Sequence, residues 1–383
     1  MSMVEQDLTP RHSTSFLEAQ RVASKRIGFT VTQACPLRCA HCSVEASPNL
    51  ANTTFTSEFA WRIAEQMPDL HSLGVRFVDF TGGEPVLARK FVRIVSEAAA
   101  RVGMTCGIVT AAHWAKTPEL ADRVIESFPH IENWDISTDI YHLPFVSLDH
   151  VATAFDALQR LGRSTQMRIA HHEEITYEEA KLIDRVFQFA GRKIAFQPIG
   201  PVGRGKELVT SPVVEETERD YSPCASTGLL IHNDGAGAPC CAPLSHTTRD
   251  SPLFVGNALH DPLCDLVTRW RVQPLIQTIR VWGFGRLEAW VAELGIDAGQ
   301  FYRRHTCDEC VAMLADPTRV RLLDLVAHRL DHRIELAAAL LRDFKEPWME
   351  NVLKSEAERY LGGDTSIWAR DLLETAALTP HQF

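Results

Sequence analysis

The sequence predicts an α/β protein: an open, partial (β/α)6 barrel with a small cysteine-ligated auxiliary domain and a helical C-terminal tail. Short apolar runs alternate with amphipathic segments from residue 26 to about residue 205, as strands and helices do in alternation. Such alternation predicts a parallel sheet with right-handed crossovers. The six units found here are fewer than the eight of a closed barrel. Cysteines and turn residues follow in 206–314, and helical periodicity returns in 315–383.

The barrel domain is assigned to residues 26–205, after a polar lead-in (1–25) that is too short to form a domain. Its predicted strands are the apolar runs 28–31, 75–80, 106–110, 133–137, 166–170 and 193–197. Apolar residues at helical spacing, preceded by Ser, Thr or Asp caps, predict helices over 57–70, 90–102, 118–128, 148–161 and 177–190. Parallel barrels carry their chemistry at the carboxyl ends of the strands, so the residues after each strand are the candidates for a site.

Composition excludes several classes of protein. A hydrophobic content of 45% and a charged content of 23% are those of an ordinary globular protein. The net charge of −10 and the lack of a basic run argue against nucleic acid as a partner. No apolar stretch approaches the length of a membrane span, and the N-terminus is not a signal peptide. Ten cysteines without a secretory signal indicate a reducing compartment, where clustered cysteines bind metals, so a cytoplasmic metalloenzyme is predicted.

The strongest motif is a loop of three cysteines directly after the first predicted strand. Cys35, Cys39 and Cys42 have the spacing C-x3-C-x2-C. Cysteine thiolates are the usual ligands of iron–sulfur clusters. Three protein ligands leave one iron of a four-iron cluster without a protein sulfur. That iron can bind a small molecule, just as a catalytic zinc binds one at its open coordination position. A zinc loop or three unrelated thiols are the alternatives, although zinc usually takes paired C-x2-C or Cys/His sets.

This spacing, with His41 just before the third cysteine, resembles the signature of the radical S-adenosylmethionine (SAM) superfamily. About forty residues further, Gly82, Gly83, Glu84 and Pro85 follow the second strand and resemble the SAM-binding motif of that family. The two glycines let backbone approach a ligand closely, and Glu84 offers a carboxylate. The resemblance implies a [4Fe-4S] cluster on the three cysteines, with SAM at its open iron. It also implies reductive cleavage of SAM to a 5′-deoxyadenosyl radical that abstracts hydrogen from a C–H bond, with an electron donor of the flavodoxin or ferredoxin type.

Four further residues on or just after strands four to six are predicted to contact SAM. Ser137 and Asp139 resemble the Ser-x-Asp turn that radical SAM relatives use near the SAM ribose and carboxylate, although both residue types are also common helix caps. Arg168 on strand five is either a fork donor to the SAM carboxylate or an ordinary exposed arginine. Gln197 opens a turn-rich segment that lies at the adenine end in relatives.

A second cysteine set lies in the auxiliary segment 206–314. Cys224, Cys240, Cys307 and Cys310 supply four thiols, enough to saturate a second iron–sulfur cluster. A turn at 233–235 predicts a hairpin before Cys240. The arrangement resembles the SPASM and Twitch extensions of radical SAM enzymes. Because no cysteine follows Cys310, the shorter Twitch form, with one auxiliary [4Fe-4S] cluster, fits better. A zinc site from the same four thiols is the alternative.

Two other cysteines are candidates for catalysis. Cys241 adjoins Cys240 and is an alternative ligand, while Cys264 falls in a helix predicted over 261–270. Either thiol is a candidate hydrogen donor to a substrate radical, as in some epimerases of the family. From residue 315 helices are predicted over 316–329, 333–344, 346–361 and 364–377, as packing material, a lid or a dimer surface.

The sequence leaves the substrate open among three hypotheses. The first is a small natural product, such as a sugar or aminocyclitol, that is oxidised as by a dehydrogenase or epimerised. The single auxiliary cluster, the net charge of −10 and the short lead-in favour it. The alternative is a ribosomally made peptide, which many SPASM-type enzymes modify. A zinc-binding interaction protein is the third hypothesis.

Overall fold

The computed structural model describes residues 16–209, 224, 228–240, 250–296 and 306–360. Within these ranges the strands form one nine-stranded sheet. Six belong to the barrel: β1 Arg26–Thr32, β2 Phe77–Gly82, β3 Thr105–Thr110, β4 Asn133–Ser137, β5 Ser164–His171 and β6 Ile194–Pro198. Three follow: β7 Leu229–Ile231, β8 Ala236–Ala238 and β9 Gly256–Asn257.

The six barrel strands lie side by side in chain order, and each neighbouring pair is parallel. The free edge of β1 pairs with β7 rather than with β6, so the barrel stays open. This confirms the predicted partial (β/α)6 barrel. All six strands fall where the apolar runs predicted them, with ends that differ by up to two residues.

Helices connect the barrel strands: α1 Phe16–Ala23 precedes β1, and α2 Ser57–Glu65, α3 Met67–Ser72, α4 Arg89–Arg101, α5 Pro118–Glu126, α6 Leu148–Arg160 and α7 Tyr177–Ala190 follow. Thr56, Thr117, Ser147 and Thr176 cap α2, α5, α6 and α7 with their hydroxyl oxygens. The helix predicted over 57–70 is two helices. Pro68 lies in the first turn of α3, where its missing N–H breaks no helical hydrogen bond, so a new helix begins there.

The alternation of β1 explains how the barrel packs. Ile27, Phe29 and Val31 are fully buried and face the helices. The centroid of the Phe29 ring lies 5.7 Å from the centroid of the Phe91 ring on α4. Successive side chains of a strand point to opposite faces, so the intervening residues face the barrel interior and β1 carries the hydrophobic core on one side only.

Beyond the barrel, β7 and β8 form the predicted antiparallel hairpin, and β7 extends the sheet at β1. Helix α8, Leu263–Val272, lies close to the helix predicted there. The 21-residue α9, Pro274–Leu294, was not predicted; it is kinked at Gly283, whose φ is 68°. Its buried residues lie on nearly all sides, so it lacks the one-sided periodicity from which a surface helix is recognised.

Four more helices end the described chain: α10 Thr306–Leu314, α11 Pro317–Ala327, α12 Leu330–Arg342 and α13 Met349–Tyr360. Asp316 accepts hydrogen bonds from the amides of Thr318 and Arg319, so α11 begins at Pro317 as predicted. The helix predicted over 364–377 lies outside the described residues. Helices α11 and α12 pack on α9. Among the helices described, none is both long and apolar enough to cross a membrane.

Candidate active site

The carboxyl ends of the barrel strands surround one cavity of about 270 Å³. Nearly all the predicted cluster and SAM residues of the barrel line it: Cys35, Cys39, His41, Cys42, Gly82, Gly83, Ser137, Asp139, Arg168 and Gln197. Cys307 of α10 reaches the same cavity from outside the barrel. Glu84 and Pro85 are not among its lining residues. Folding therefore gathers residues from all six barrel strand ends into one place.

The three cysteines of the loop are held close together in a partly buried position. Cys35 and Cys39 are buried and Cys42 is half-buried. The Cys35 amide donates to the carbonyl of Ser47, which closes the loop at 3.1 Å. Burial raises the pKa of Cys35 to about 12, and Glu84, Cys39 and Cys42 add to the rise. Three such thiols need a cation to exist together as thiolates, so the donor set fits an iron–sulfur cluster.

Gly82 and Gly83 join the end of β2 to the start of the cysteine loop. Gly82 has a φ of +127°, and a Cβ on it would lie 2.3 Å from the carbonyl oxygen of Thr32. A Cβ on Gly83 would lie 2.2 Å from the carbonyl oxygen of Ala34. The Gly83 amide donates to the Thr32 carbonyl at 2.7 Å. The close approach that requires glycine is therefore to the chain itself, although both residues also line the cavity.

Glu84 is buried and bonded to the turn that follows β3. Its side chain is buried, and Oε1 accepts from the Thr110 hydroxyl at 2.8 Å while Oε2 accepts from the Ala111 amide at 3.1 Å. Pro85 opens a short 3-10 helix, Pro85–Ala88. In the described contacts Glu84 thus ties the turn after β2 to the turn after β3.

Arg168 is oriented by neighbours on both adjacent strands. Its Nε donates to Asp135 of β4 at 3.0 Å, and one terminal nitrogen donates to Gln197 of β6 at 3.0 Å. These bonds fix the plane of the guanidinium at the cavity wall. Gln197 thus contacts Arg168 as well as the cavity.

Asp139 is nearly inaccessible, and its carboxylate is the centre of a polar network. Oδ2 lies 2.8 Å from Nδ1 of His142 and 3.3 Å from Nε2 of His41. Oδ1 accepts from the amides of Tyr141 and His142 at 2.9 and 3.0 Å. Burial alone would raise the pKa of Asp139, but the charge and hydrogen bond of His142 outweigh it and the pKa is lowered.

The two histidines of this network are driven to opposite charge states. Burial lowers the pKa of His41 to about 4, despite the nearby Asp139 carboxylate. Burial also acts against the charged form of His142, but Asp139 outweighs it and raises the pKa of His142 to about 10. The nearby Cys39 side chain raises the pKa of His142 further. The three side chains are close enough to hold a metal ion, but these hydrogen bonds already use the Asp139 oxygens.

Arg204 is a residue that the sequence reading missed. Its backbone amide donates to the carbonyl of Cys42 at 3.1 Å, and its side chain donates to the carbonyls of Cys39 and Ala46 at 3.0 Å each. The preceding Gly203 has a φ of +58°, and a Cβ there would lie 2.5 Å from the Cys42 carbonyl oxygen. The Gly-Arg-Gly pattern at 203–205 was the signal in the sequence that could have identified Arg204. This segment contacts the cysteine loop from the side of β6.

The second cysteine set is brought together in part. Burial raises the pKa of Cys310 well above its ordinary value, and the nearby Cys224 and Cys307 raise it further. Cys307 and Cys310 lie one turn apart on α10, so both face the same way. Cys240 is half-buried just after β8, and Cys241 lies outside the described residues.

Cys264 lies apart from the cavity. It is half-buried on α8, and burial together with Asp69 of α3 raises its pKa. It is not a lining residue of the cavity. The structure thus offers no contact that supports the prediction of Cys264 as a hydrogen donor.

Comparisons with known proteins agree with this geometry. Residues 29–186 match the model of the Radical SAM superfamily. The chain is 22% identical over 239 residues to the putative peptide biosynthesis protein YydG of Bacillus subtilis. That alignment covers 59% of this chain and 72% of YydG. It is 26% identical over 122 residues to the PqqA peptide cyclase of Bradyrhizobium diazoefficiens, 30% of this chain and 31% of that one.

Two solved structures are similar at low identity. AdoMet-bound anSMEcpe has a TM-score of 0.46 and 12% identity, over 82% of this chain and 97% of that one. BtrN in complex with AdoMet and 2-DOIA has a TM-score of 0.40 and 14% identity, over 68% of this chain and 89% of that one. The similarity of the barrel segment to radical SAM domains rests on the sequence match over residues 29–186.

Proposed function

We propose that this chain, which matches the Radical SAM superfamily over residues 29–186, is a peptide-modifying radical SAM enzyme whose cluster is held by Cys35, Cys39 and Cys42. One observation carries the proposal: the three thiols share a single cavity with the Gly82-Gly83 turn and the polar ends of β4, β5 and β6. Radical SAM enzymes bind a [4Fe-4S] cluster and SAM. When bound, the cluster and SAM supply a 5′-deoxyadenosyl radical that abstracts a hydrogen atom from the substrate.

The role proposed for the side chains of this protein is to bind the cluster and SAM and to orient them. The loop thiolates hold the cluster, and Arg204 fastens the loop through the carbonyls of Cys39 and Ala46. We assign Arg168 to the SAM carboxylate, because Asp135 and Gln197 already fix its guanidinium plane at the cavity wall. We assign Ser137 to the SAM ribose. Preorganised groups of this kind keep reacting atoms in place and exclude water.

We further propose that Cys224, Cys307 and Cys310 hold an auxiliary [4Fe-4S] cluster, with Cys240 or Cys241 as the fourth ligand. The proximity of Cys224 and Cys307 that raises the Cys310 pKa supports a shared site for these three thiols. Cys307 also lines the active cavity, so this cluster lies beside the substrate. When bound, such a cluster supplies an acceptor for one electron, and the net reaction is then oxidative.

Cys307→Ala should leave SAM cleavage in place but abolish product formation, because the auxiliary site loses a ligand while the cysteine loop is untouched. The measurement is 5′-deoxyadenosine and modified substrate in the same anoxic reaction. Cys264→Ala is the matched control, since that half-buried thiol lies outside the cavity. Unchanged product formation in Cys307→Ala would rule out the auxiliary role.

A peptide is the substrate class that the sequence similarity favours. The relative from Bacillus subtilis is described as a peptide biosynthesis protein, and the alignment spans 72% of it. A small sugar or aminocyclitol is the second candidate, favoured by the net charge of −10, which suits a cationic substrate. The chemistry on a peptide is oxidation, epimerisation or cross-linking, and the mass and stereochemistry of the product distinguish these.

The test begins with anoxically reconstituted protein, for which two four-iron clusters predict about eight irons per chain. The protein is then incubated with SAM, a reductant and a deuterated form of each short peptide encoded beside its gene. Deuterium in 5′-deoxyadenosine is expected from a peptide. Transfer from a deuterated aminocyclitol alone would favour the small-molecule class. A colourless protein that holds zinc and no sulfide would instead establish the zinc-binding interaction protein.

A further inference from the structure

Tyr141, His172 and Glu179 form a chain of hydrogen bonds beside the candidate active site. The Tyr141 hydroxyl lies 2.9 Å from Nε2 of His172, and Nδ1 of His172 lies 2.8 Å from Oε1 of Glu179. Tyr141 follows β4 and His172 follows β5, whereas Glu179 lies in the first turn of α7. The chain therefore joins the ends of two strands that also contribute residues to the cavity.

The Glu179 carboxylate is fixed by hydrogen bonds to both of its oxygens. Oε2 accepts from the amide and the hydroxyl of Thr176 at 2.7 and 2.8 Å, and Oε1 accepts from the His172 amide at 2.8 Å. Burial acts against the charged form, but these hydrogen bonds outweigh it and the pKa of Glu179 is lowered. Glu179 is therefore an ionised carboxylate in a fixed position.

This carboxylate determines the direction of the other two hydrogen bonds. A carboxylate accepts hydrogen bonds and donates none, so Nδ1 of His172 carries the hydrogen that faces Glu179. A neutral imidazole has one N–H, so Nε2 is then an acceptor and the Tyr141 hydroxyl is the donor. In catalytic triads a carboxylate holds a histidine in the same way, and the far nitrogen acts as a base. Nε2 of His172 is thus a base directed at the Tyr141 phenol.

Tyr141 lies at the rim of the cavity. Asp139 and His142, on either side of it in the chain, line the cavity. The centroid of its ring lies 5.4 Å from that of His41, which also lines the cavity. Its amide donates to Oδ1 of Asp139 at 2.9 Å, which fixes the backbone there. Because Tyr141 is only half-buried, a peptide that enters across this rim can reach its phenolic oxygen.

We propose that Tyr141, positioned by His172 and Glu179, accepts the proton that the substrate loses when it is oxidised. This proposal rests on the proposed function and deepens it, because it requires an oxidative reaction and excludes epimerisation. Burial, together with the charges of Glu179 and Asp139, raises the pKa of Tyr141, so the phenol is protonated at rest. Its oxygen keeps lone pairs that can accept a proton from the substrate.

The proton transfer is balanced as follows. After hydrogen abstraction, a bond to hydrogen next to the radical centre of the substrate breaks. Of the three electrons in that bond and the radical centre, two form a new double bond and one goes to an acceptor of the iron–sulfur class. The released proton bonds to the phenolic oxygen of Tyr141, while the phenolic proton moves to Nε2 of His172. The resulting imidazolium is stabilised by Glu179 and is 30% exposed, so it can return the proton to water.

The tautomer of His172 tests the proposal without substrate. On reconstituted holoprotein with isotope-labelled histidine nitrogens, nuclear magnetic resonance should show a protonated Nδ1 and an unprotonated Nε2. The His172 signals are identified by their loss in His172→Ala. Tyr141→Phe should shift the Nε2 signal, because that nitrogen loses its donor. A hydrogen on Nε2 of the wild-type ring would overturn the proposal.

Glu179→Gln tests the positioning role of the carboxylate in the same spectra. Gln also forms a capping box, so α7 should remain folded. Its amide group can donate as well as accept, so it no longer requires a hydrogen on Nδ1. Both tautomers of His172 should then be populated, and a spectrum identical to that of the wild type would contradict the positioning role.

Product formation tests the proton transfer itself. With the deuterated peptides described above, Tyr141→Phe should still transfer deuterium to 5′-deoxyadenosine, because hydrogen abstraction precedes proton loss. The yield of oxidised peptide per 5′-deoxyadenosine should fall by about 100-fold, at the low end of what general acid–base catalysis contributes. Tyr177→Phe is the matched control, since Tyr177 begins α7 and is 72% exposed. Its yield should match that of the wild type.

Added imidazole distinguishes proton transfer from a structural role of His172. His172→Ala should lower the yield as Tyr141→Phe does, and the partial exposure of the ring allows a small molecule to enter the space it leaves. Imidazole should restore the yield. Pyrazole, which has nearly the same shape but is a much weaker base, should not. Equal rescue by both compounds would overturn the proposal, because filling the space would then be enough.

The outcomes separate this proposal from the proposed function. Wild-type protein that transfers deuterium from no peptide would refute the proposed function. Wild-type transfer together with a full yield of oxidised peptide in Tyr141→Phe would refute only the role of Tyr141. Loss of deuterium transfer in Tyr141→Phe would refute that role too, because Tyr141 would then position the substrate. A peptide product of unchanged mass and inverted stereochemistry would do the same, because epimerisation releases no proton.

Discussion

Cys35→Ala is expected to abolish SAM cleavage and to remove about four irons per chain, the content of one cluster. Alanine suits the buried position of Cys35, so the barrel should still fold. The loop would keep only two thiols, and two thiolates do not hold a four-iron cluster that needs three from this loop. Iron and sulfide analysis together with 5′-deoxyadenosine formation under anoxic conditions measures both effects.

Cys106→Ala is the control for that experiment. Cys106 is a fully buried thiol on β3 whose sulfur contacts the Ser96 carbonyl at 3.8 Å, on the helix side of the sheet. The Cys106→Ala substitution should lower the folding free energy somewhat, because it leaves a small cavity. Iron content and SAM cleavage should stay unchanged. If Cys35→Ala still cleaves SAM at the wild-type rate, the cysteine loop does not hold the catalytic cluster.

Glu346→Ala is expected to cost about 3–5 kcal/mol of folding free energy, the usual effect of breaking a buried ion pair. Glu346 and Arg280 are each 1% exposed and 2.7 Å apart. Burial lowers the pKa of Arg280, and Glu346 opposes that effect. Without Glu346 the guanidinium keeps its bonds to Gln20 and Gln277 but stays buried without a counter-charge. The midpoint of urea unfolding measures the loss.

Glu335→Ala is the matched control. Glu335 pairs with Arg286 at the same 2.7 Å, but both side chains are substantially exposed, at 51% and 31%. Exposed pairs contribute about 0–1 kcal/mol, so little change is expected. Replacing both buried partners, as Arg280→Met with Glu346→Leu, should restore part of the loss because no charge remains buried. Equal losses of folding free energy in Glu346→Ala and Glu335→Ala would show that burial does not determine how much the Arg280–Glu346 pair stabilises the fold.

The barrel was predictable because its signals are local. Apolar runs mark each barrel strand to within two residues of its ends, and hydroxyl caps mark the starts of α2, α5, α6 and α7. The order of these units determines a parallel sheet. The periodicity of apolar residues did not predict a helix that is buried on more than one side. Helix α9 carries buried residues around most of its circumference, so no periodic pattern distinguishes it from other apolar sequence.

The site was predictable to the level of residue type and strand end. The three cysteines, the glycine turn and the polar residues after β4, β5 and β6 line one cavity, as expected for the carboxyl ends of a parallel sheet. The direction of individual side chains was not predictable. Glu84 turns to Thr110 and Ala111, and Arg204 reaches back to the cysteine loop from the far end of the barrel.

By itself, the sequence determined the alternating barrel, the thiol loop and the order in which site residues follow the strands, because spacing and periodicity are properties of the chain alone. Tertiary structure decided which partners those residues meet. Asp139 contacts His142 and also His41, which lies on the cysteine loop about a hundred residues earlier. Such contacts depend on how parallel strands bring distant turns to one edge, and no local pattern encodes the angle at which a side chain arrives there.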